Sequence, residues 1–276
     1  MEKTVVAICY DFDKTLAIND MQAFSFIPNL GLTPAEFWDK CGQFSKSTGT
    51  DSILSYLRVM MDECKDKNIP LTRAYLNSLG KDIKYFDGVT TWFKRLNAYA
   101  EERGIQLEHY IISSGNKEIL EGSSIAKEFK EIYGCEFLYN QFGVAYWPKT
   151  IINYTLKTQY LFRICKGATK LTDEEKVNER VDKKHVEFRN MIYIGDGLTD
   201  IPCMTLIKEK GGTAISVYPA GQKEKSIQLV QDERVNYACK GDYSSNSQID
   251  KLIKLILDSI SLNAKLLEKE IKLTNI

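Results

Sequence analysis

The sequence predicts an α/β fold: a parallel sheet core, entered once and then interrupted by an inserted helical segment. Three observations carry this. Val5 to Tyr10 is an apolar run rich in β-branched residues and ends in two aspartates, Asp11 and Asp13; such runs form strands buried on both faces of a parallel sheet. Residues 17–86 then carry helical spacing and helix-start signals. From residue 87 onward, helical stretches alternate with short apolar runs, the pattern of βαβ units.

Each element has a local cause. In the insertion, Thr33-Pro34-Ala35-Glu36 supplies an N-cap threonine, a proline at the first helical position and a glutamate three residues after the cap, which together predict a capping box. Phe37, Trp38, Cys41 and Phe44 follow at helical spacing and are expected in the bundle core. A second helix is expected from Thr50 or Asp51, with Ile53, Leu54, Leu57, Val59, Met60 and Met61 apolar, and a third after Pro70-Leu71-Thr72. Asn19, Asp20, Gln22, Phe24 and Phe26, close behind the aspartates, are candidates to face a ligand, with some of them expected to be hinge and bundle core.

Asp87-Gly88-Val89 opens a helix to about Glu102. Leu107 to Ile112 is the second strand, ending in Ser113-Ser114-Gly115-Asn116, with Asn116 expected to cap the next helix. Cys135 to Leu138 forms a strand, and the Gln141-Phe142-Gly143 turn predicts a hairpin. A helix from Thr155 carries Lys157 and stops at Gly167. The stretch from Ala168 to Glu187 mixes charges of both signs, including Asp182 and Lys183, and is expected to be solvated helix or loop. Met191 to Ile194, Ala214 to Tyr218 and Val235 to Cys239 complete the strands, and an amphipathic helix from Gln248 to about Glu268 ends the chain.

Bulk properties narrow the function. Of 276 residues, Lys plus Arg and Asp plus Glu number 37 each, which argues against a basic nucleic-acid surface. No apolar run is long enough to span a bilayer. Met1-Glu2-Lys3-Thr4 leads directly into the first strand, so no signal peptide is expected and the location is expected to be cytoplasmic. Seven scattered cysteines without a Cys-x-x-Cys pair read as buried small hydrophobes. His109 sits in an expected strand and reads as structural; His185 sits in the charged stretch and reads as solvated.

Polar clusters at three strand ends carry the chemistry: Asp11 and Asp13, Ser113 and Ser114, Asp196 and Asp200. A parallel sheet gathers such ends at one edge. Asp196 and Asp200 are four apart, so a helical turn would put them on one face. Asp11 with Asp196 offers hard oxygen ligands suited to Mg²⁺. A Ser113 hydroxyl and a Lys157 ammonium suit the remaining oxygens of a phosphoryl group.

In this order the motifs resemble those of the haloacid dehalogenase superfamily phosphatases. Residues 11 to 15 match the Asp-x-Asp-x-Thr signature, Ile111-Ile112-Ser113 the strand ending in a hydroxyl residue, and Gly195-Asp196-x-x-x-Asp200 the acidic metal-binding signature. Lys14 stands where Gly is frequent, as in relatives of phosphoserine phosphatase. The resemblance covers nearly the whole chain. It implies a Rossmann-like sheet with helices on both faces, formed by residues 1–16 and 87–276, and a helical cap formed by 17–86. It implies Mg²⁺-dependent hydrolysis of a small phosphomonoester through an aspartyl-phosphate on Asp11. Asp13 would be general acid and then base, and a metal ligand through its backbone carbonyl; Asp196 would hold the metal, with Asp200 a ligand through water or a support for Lys157. Ser113, Ser114 and Lys157 would bind phosphate, with Lys149 and Lys166 as rivals for the lysine role. A phosphomutase of the same superfamily, or a phosphate-binding module without turnover, are the alternatives. No nucleic-acid or membrane partner is implied, and substrate choice would lie with the cap.

Overall fold

The computed structural model describes residues 3–180 and 184–274; Met1, Glu2, Asp182 and Lys183 lie outside them. The strands are β1 (Thr4–Tyr10), β2 (Ile105–Asn116), β3 (Glu131–Tyr139), β4 (Ala145–Thr150), β5 (Met191–Gly195), β6 (Thr213–Tyr218) and β7 (Tyr237–Lys240). They form one seven-stranded sheet in the order β4-β3-β2-β1-β5-β6-β7, parallel throughout except for the β3–β4 hairpin. β1 lies between β2 and β5, and Val6 to Tyr10 have no exposed surface. Complete burial is why this strand is continuously apolar and not alternating.

The helices are α1 (Phe26–Asn29), α2 (Pro34–Thr48), α3 (Ser52–Asp66), α4 (Arg73–Leu79), α5 (Val89–Glu101), α6 (Lys117–Glu121), α7 (Leu156–Lys166), α8 (Glu174–Asn178), α9 (Ile201–Glu209), α10 (Glu224–Gln231) and α11 (Gln248–Thr274). α1 to α4 make up the insertion that follows β1. The capping box of α2 forms as the sequence predicts: Thr33 Oγ1 accepts from the Glu36 amide, and the Glu36 carboxylate accepts from the Thr33 amide at 2.8 Å. Asp51 caps α3 by accepting from Ile53 and Leu54, and Thr72 caps α4 by accepting from Tyr75. Phe37 and Cys41 of α2 face Leu57, Met60 and Cys64 of α3 in a common apolar core. The insertion is seated on the rest of the chain where α4 meets α6. A methyl group added at Gly122 would lie 1.8 Å from the Asn77 carbonyl oxygen, so only glycine permits this approach.

Several expectations are corrected. β2 runs on through Ser113 to Asn116, with an irregular register against β3 between Ile112 and Asn116. Asn116 does not cap α6 with its side chain; its Oδ1 accepts from Gln22 Nε2 at 3.0 Å instead. β3 begins at Glu131, four residues early, because pairing with β2 recruits residues of mixed polarity. α10 was not foreseen: its charged first turn hides the apolar Leu229 that it buries. His185 is half-buried, not solvated: its Nε2 contacts Glu108 at 2.8 Å, and that carboxylate also accepts from Tyr110 and Lys130. The charged stretch around α8 is tied down by backbone carbonyls, with Lys176 donating to Gly167 and Lys166 donating to Val177 and Glu179.

His109 is buried in β2 within a hydrogen-bonded chain. Its Nε2 contacts Asn97 Oδ1 at 2.9 Å, its Nδ1 contacts the Tyr10 hydroxyl at 3.0 Å, and that hydroxyl accepts from Trp92 Nε1 at 2.9 Å. A neutral ring protonated at Nε2 satisfies all three contacts. Burial pushes its pKa down to about 3. All seven cysteines are buried free thiols. Among the described residues no helix is long and apolar enough to cross a membrane.

Candidate active site

At its carboxyl end β1 delivers Asp11, whose amide donates to Ile194 of β5 at 2.9 Å. Phe12 turns the opposite way into the core, edge-on to Tyr85, so Asp11 and Asp13 flank it on the cavity side. The turn is closed by the Phe12 carbonyl, which accepts from Thr15, Leu16 and Ala17. Lys14, within it, has φ 57°. This left-handed conformation costs a non-glycine residue about 1–2 kcal/mol, and it explains why glycine would suit the position. Here the Lys14 side chain pairs with Asp20 at 2.8 Å.

Three carboxylates converge at this edge. Oxygen atoms of Asp11, Asp196 and Asp200 lie within 4.8 Å of one another. Lys157, projecting from the first turn of α7 and 1% exposed, donates to Asp11 Oδ1 at 2.7 Å and to Asp200 Oδ1 at 2.8 Å. Tyr193 also donates to Asp200 Oδ1, at 2.7 Å. Asp200 was expected on a helical turn with Asp196. Instead, Asp196 to Asp200 form the loop between β5 and α9, and the Asp200 side chain turns back toward Lys157 without capping the helix. Gly195 makes room for it: a methyl group there would lie 2.5 Å from Asp200 Oδ2.

The electrostatics follow from crowding like charges out of water. Burial and the Asp200 charge push Asp11 up to about 6, although Lys157 opposes this. Burial, then the charges of Asp11 and Asp200, push Asp196 up to about 8. Burial pulls the Lys157 pKa down, but Asp11 and Asp200 outweigh this and hold the ammonium above the ordinary lysine range. Burial, then the Asp11 charge, raises Asp13 well above the carboxylate range; its Oδ1 accepts from the Met21 amide at 2.8 Å.

When all three are ionised the carboxylates outnumber the one ammonium they surround, and Asp200 Oδ2 is buried without a hydrogen-bond partner. Both facts fit a bound divalent cation with oxygen ligands. Ser113 is buried, and its Oγ accepts from the Gly115 amide at 3.0 Å; Ser114 follows it along the cavity wall with its own Oγ unpartnered.

No protein-family model matches the chain. An uncharacterized protein of Borreliella burgdorferi is 26% identical over 296 residues, spanning 95% of this chain and 98% of that one. A HAD family hydrolase from Salmonella enterica serovar Typhi superposes with a TM-score of 0.57 at 18% identity, over 91% of this chain and 70% of that one. A phosphoserine phosphatase with a phospho-aspartyl intermediate analogue superposes with a TM-score of 0.53 at 16% identity, over 92% of this chain and 99% of that one. The fold is that of the haloacid dehalogenase hydrolases.

Within this HAD fold the structure gathers Asp11, Asp13, Ser113, Ser114, Lys157 and Asp196 around one cavity, with Asp200 directly behind Lys157. The rival lysines lie elsewhere: Lys149 pairs with Glu136 at 2.9 Å, and Lys166 is bound to the α8 segment. Gln22 and Asp20 also line the cavity, whereas Phe26 is in the core. The lining contributed by α2 and α3 was missed. Trp38, Cys41, Ser45, Lys46, Ile53 and Tyr56 all reach it. Helical spacing places Trp38 and Cys41 on an apolar face, but that face is divided between the bundle core and the cavity.

Proposed function

We propose that this chain is a Mg²⁺-dependent phosphomonoesterase of the HAD type, working through an aspartyl-phosphate on Asp11. The observation that carries the proposal is the convergence of Asp11, Asp196 and Asp200 oxygens within 4.8 Å beside the buried Lys157. Asp11 and Asp196, with the Asp13 backbone carbonyl, would hold the cation, and Asp200 would hold Lys157 in place. The bound cation would neutralise charge on the phosphoryl oxygens.

The chain's own residues supply the rest. The Asp11 carboxylate attacks phosphorus, and the bond to the leaving oxygen breaks. Asp13, kept protonated by burial and the Asp11 charge, gives its proton to that oxygen. Asp13 then takes a proton from water, the water oxygen attacks phosphorus, and the bond to Asp11 breaks. Phosphate leaves, with Asp11 ionised and Asp13 protonated again. Lys157 keeps Asp11 anionic at neutral pH and faces the developing charge. Residues 17–86 would act as the cap that closes over the substrate and excludes water.

Purified protein should release inorganic phosphate from 4-nitrophenyl phosphate with Mg²⁺ and stop on addition of EDTA. Asp11→Asn should lower turnover by at least about a thousand-fold. Undiminished release by Asp11→Asn in EDTA would overturn the proposal. Transfer between positions of a hexose phosphate, without phosphate release, would favour the mutase alternative.

A further inference from the structure

The cavity over the acidic cluster is larger than a phosphoryl group requires. Its volume is about 480 Å³, within the range of sites that enclose a whole small molecule. The floor is Asp11, Asp13, Ser113, Lys157 and Asp196. One wall is a single stripe of α2: Trp38, then Cys41 and Gly42, then Ser45 and Lys46, joined by Tyr56 of α3 and by Tyr154.

What this wall can offer a leaving group follows from how its groups are occupied. The Tyr56 hydroxyl donates to the Ser114 carbonyl at 2.7 Å, and the Tyr154 hydroxyl meets Ser52 Oγ at 3.4 Å. Both tyrosines therefore present rings, and Trp38 stands edge-on to Tyr56 with centroids 6.0 Å apart. Of the three lysines that line the cavity, Lys157 is held by Asp11 and Asp200, and Lys14 by Asp20. Lys46 has no hydrogen-bond or ion-pair partner among the described residues. The carboxylates of the lining are the floor aspartates and Asp20, which pairs with Lys14. A substrate ammonium would find no free carboxylate on the α2 wall, whereas an anion would find Lys46.

We propose that the ester hydrolysed here has an aromatic leaving alcohol that carries an anionic group, in the simplest case a carboxylate. The ring lies against Trp38 and Tyr56 and the anion meets Lys46. Trp38 and Lys46 are about 12 Å apart along the helix axis, so a ligand running beside α2 meets ring and charge in turn. This inference rests on the phosphatase reading of the floor and names the substrate class that the wall selects.

The test separates the two. Binding of benzylphosphonate, 4-carboxybenzylphosphonate and methylphosphonate to the full-length protein with Mg²⁺ is measured by calorimetry, which needs no turnover. The carboxylated ligand should bind about 2- to 5-fold tighter than benzylphosphonate, the range of an exposed ion pair. Methylphosphonate should bind at least about tenfold more weakly than benzylphosphonate. The values of kcat/KM for 4-carboxyphenyl, phenyl and 4-(aminomethyl)phenyl phosphate should fall in that order, and Lys46→Glu should invert it. Equal binding of the two ring phosphonates, or an order unmoved by Lys46→Glu, would overturn the inference. Hydrolysis of all three esters alike would overturn it and leave the phosphatase standing. The expected binding order with no hydrolysis of any ester would support the wall assignment and count against the phosphatase.

Discussion

The floor and the α2 wall of the cavity spend their polar groups differently. On the floor, Lys157 is shared by Asp11 and Asp200, and Asp200 is further fixed by Tyr193. Lys157, Asp11 and Asp200 thus hold one another beside the buried end of β1. On the wall, Lys46 is exposed and unpartnered among the described residues, and the tyrosine hydroxyls are turned away to other contacts. A set of mutually fixed charges gives one chemistry whatever the leaving group. A set of rings and one free cation gives preference among leaving groups and no chemistry of its own. Substitutions in the two regions should therefore fail in different ways.

Lys157→Met should produce the largest change. It leaves Asp11 and Asp200 buried together without their shared cation, and breaking such a group costs about 3–5 kcal/mol. Urea denaturation of the metal-free protein should show that loss, and Mg²⁺ should restore more stability to the variant than it adds to the parent. An unchanged metal-free stability would mean that the floor is not an electrostatic unit. Gly195→Ala should come next. The added methyl, 2.5 Å from Asp200 Oδ2, must displace the carboxylate, at about 1–3 kcal/mol. It should also lower kcat by at least about tenfold with little change in KM. A rise in KM alone would instead show that Asp200 serves binding.

These two regions also differ in how far the sequence reveals them. Asp11, Asp13 and Asp196 are legible because strand ends in a parallel sheet converge whatever the intervening chain does. Ser113 and Lys157 become legible only through the order of the motifs, since a lone serine or lysine carries no signal. Asp200 as a support for Lys157 was legible only as one of two roles that the resemblance implied, and the loop conformation that sends it there was not, because spacing of four is equally compatible with a helical turn. The α2 stripe was legible as a helix from its capping box, yet not as a cavity wall. Which residues of an apolar face meet the bundle and which meet the cavity depends on how α2 is rotated against α3 and the sheet, and periodicity within one helix does not encode that rotation. The half-burial of His185 was hidden for a similar reason: Glu108 is 77 residues away and is brought near only by the fold.

Below the floor, His109 sharpens the comparison through pH. The native ring has its pKa pushed down to about 3 by burial, against an ordinary value of 6.5. As pH falls below 6.5 the unfolded chain takes up a proton that the folded chain refuses, so stability is lost toward acid. The slope is about 1.4 kcal/mol per pH unit. Between pH 7.5 and 5.5 the parent should lose about 1.4 kcal/mol more than His109→Gln does. A parallel loss in both would show that the buried ring accepts the proton. Because His109 lies outside the cavity, kcat at pH 7.5 should be the same in both proteins, unlike the floor variants.

The smallest expected effect tests the join between the regions. Tyr56 belongs to the wall, but its hydroxyl donates to Ser114 on the floor at 2.7 Å. In Tyr56→Phe that carbonyl keeps only the longer contact from Cys135 Sγ at 3.3 Å, and a lost neutral hydrogen bond costs about 1 kcal/mol. The ring is retained, so binding of an aromatic phosphonate should change by less than about threefold, while urea denaturation should show the full cost. A stability unchanged within about 0.3 kcal/mol would mean that water replaces the hydroxyl. The insertion would then be held to the core by its remaining contacts, among them the α4–α6 seam, where Gly122 admits the Asn77 carbonyl, and the Gln22–Asn116 and Asp51–Asn153 hydrogen bonds.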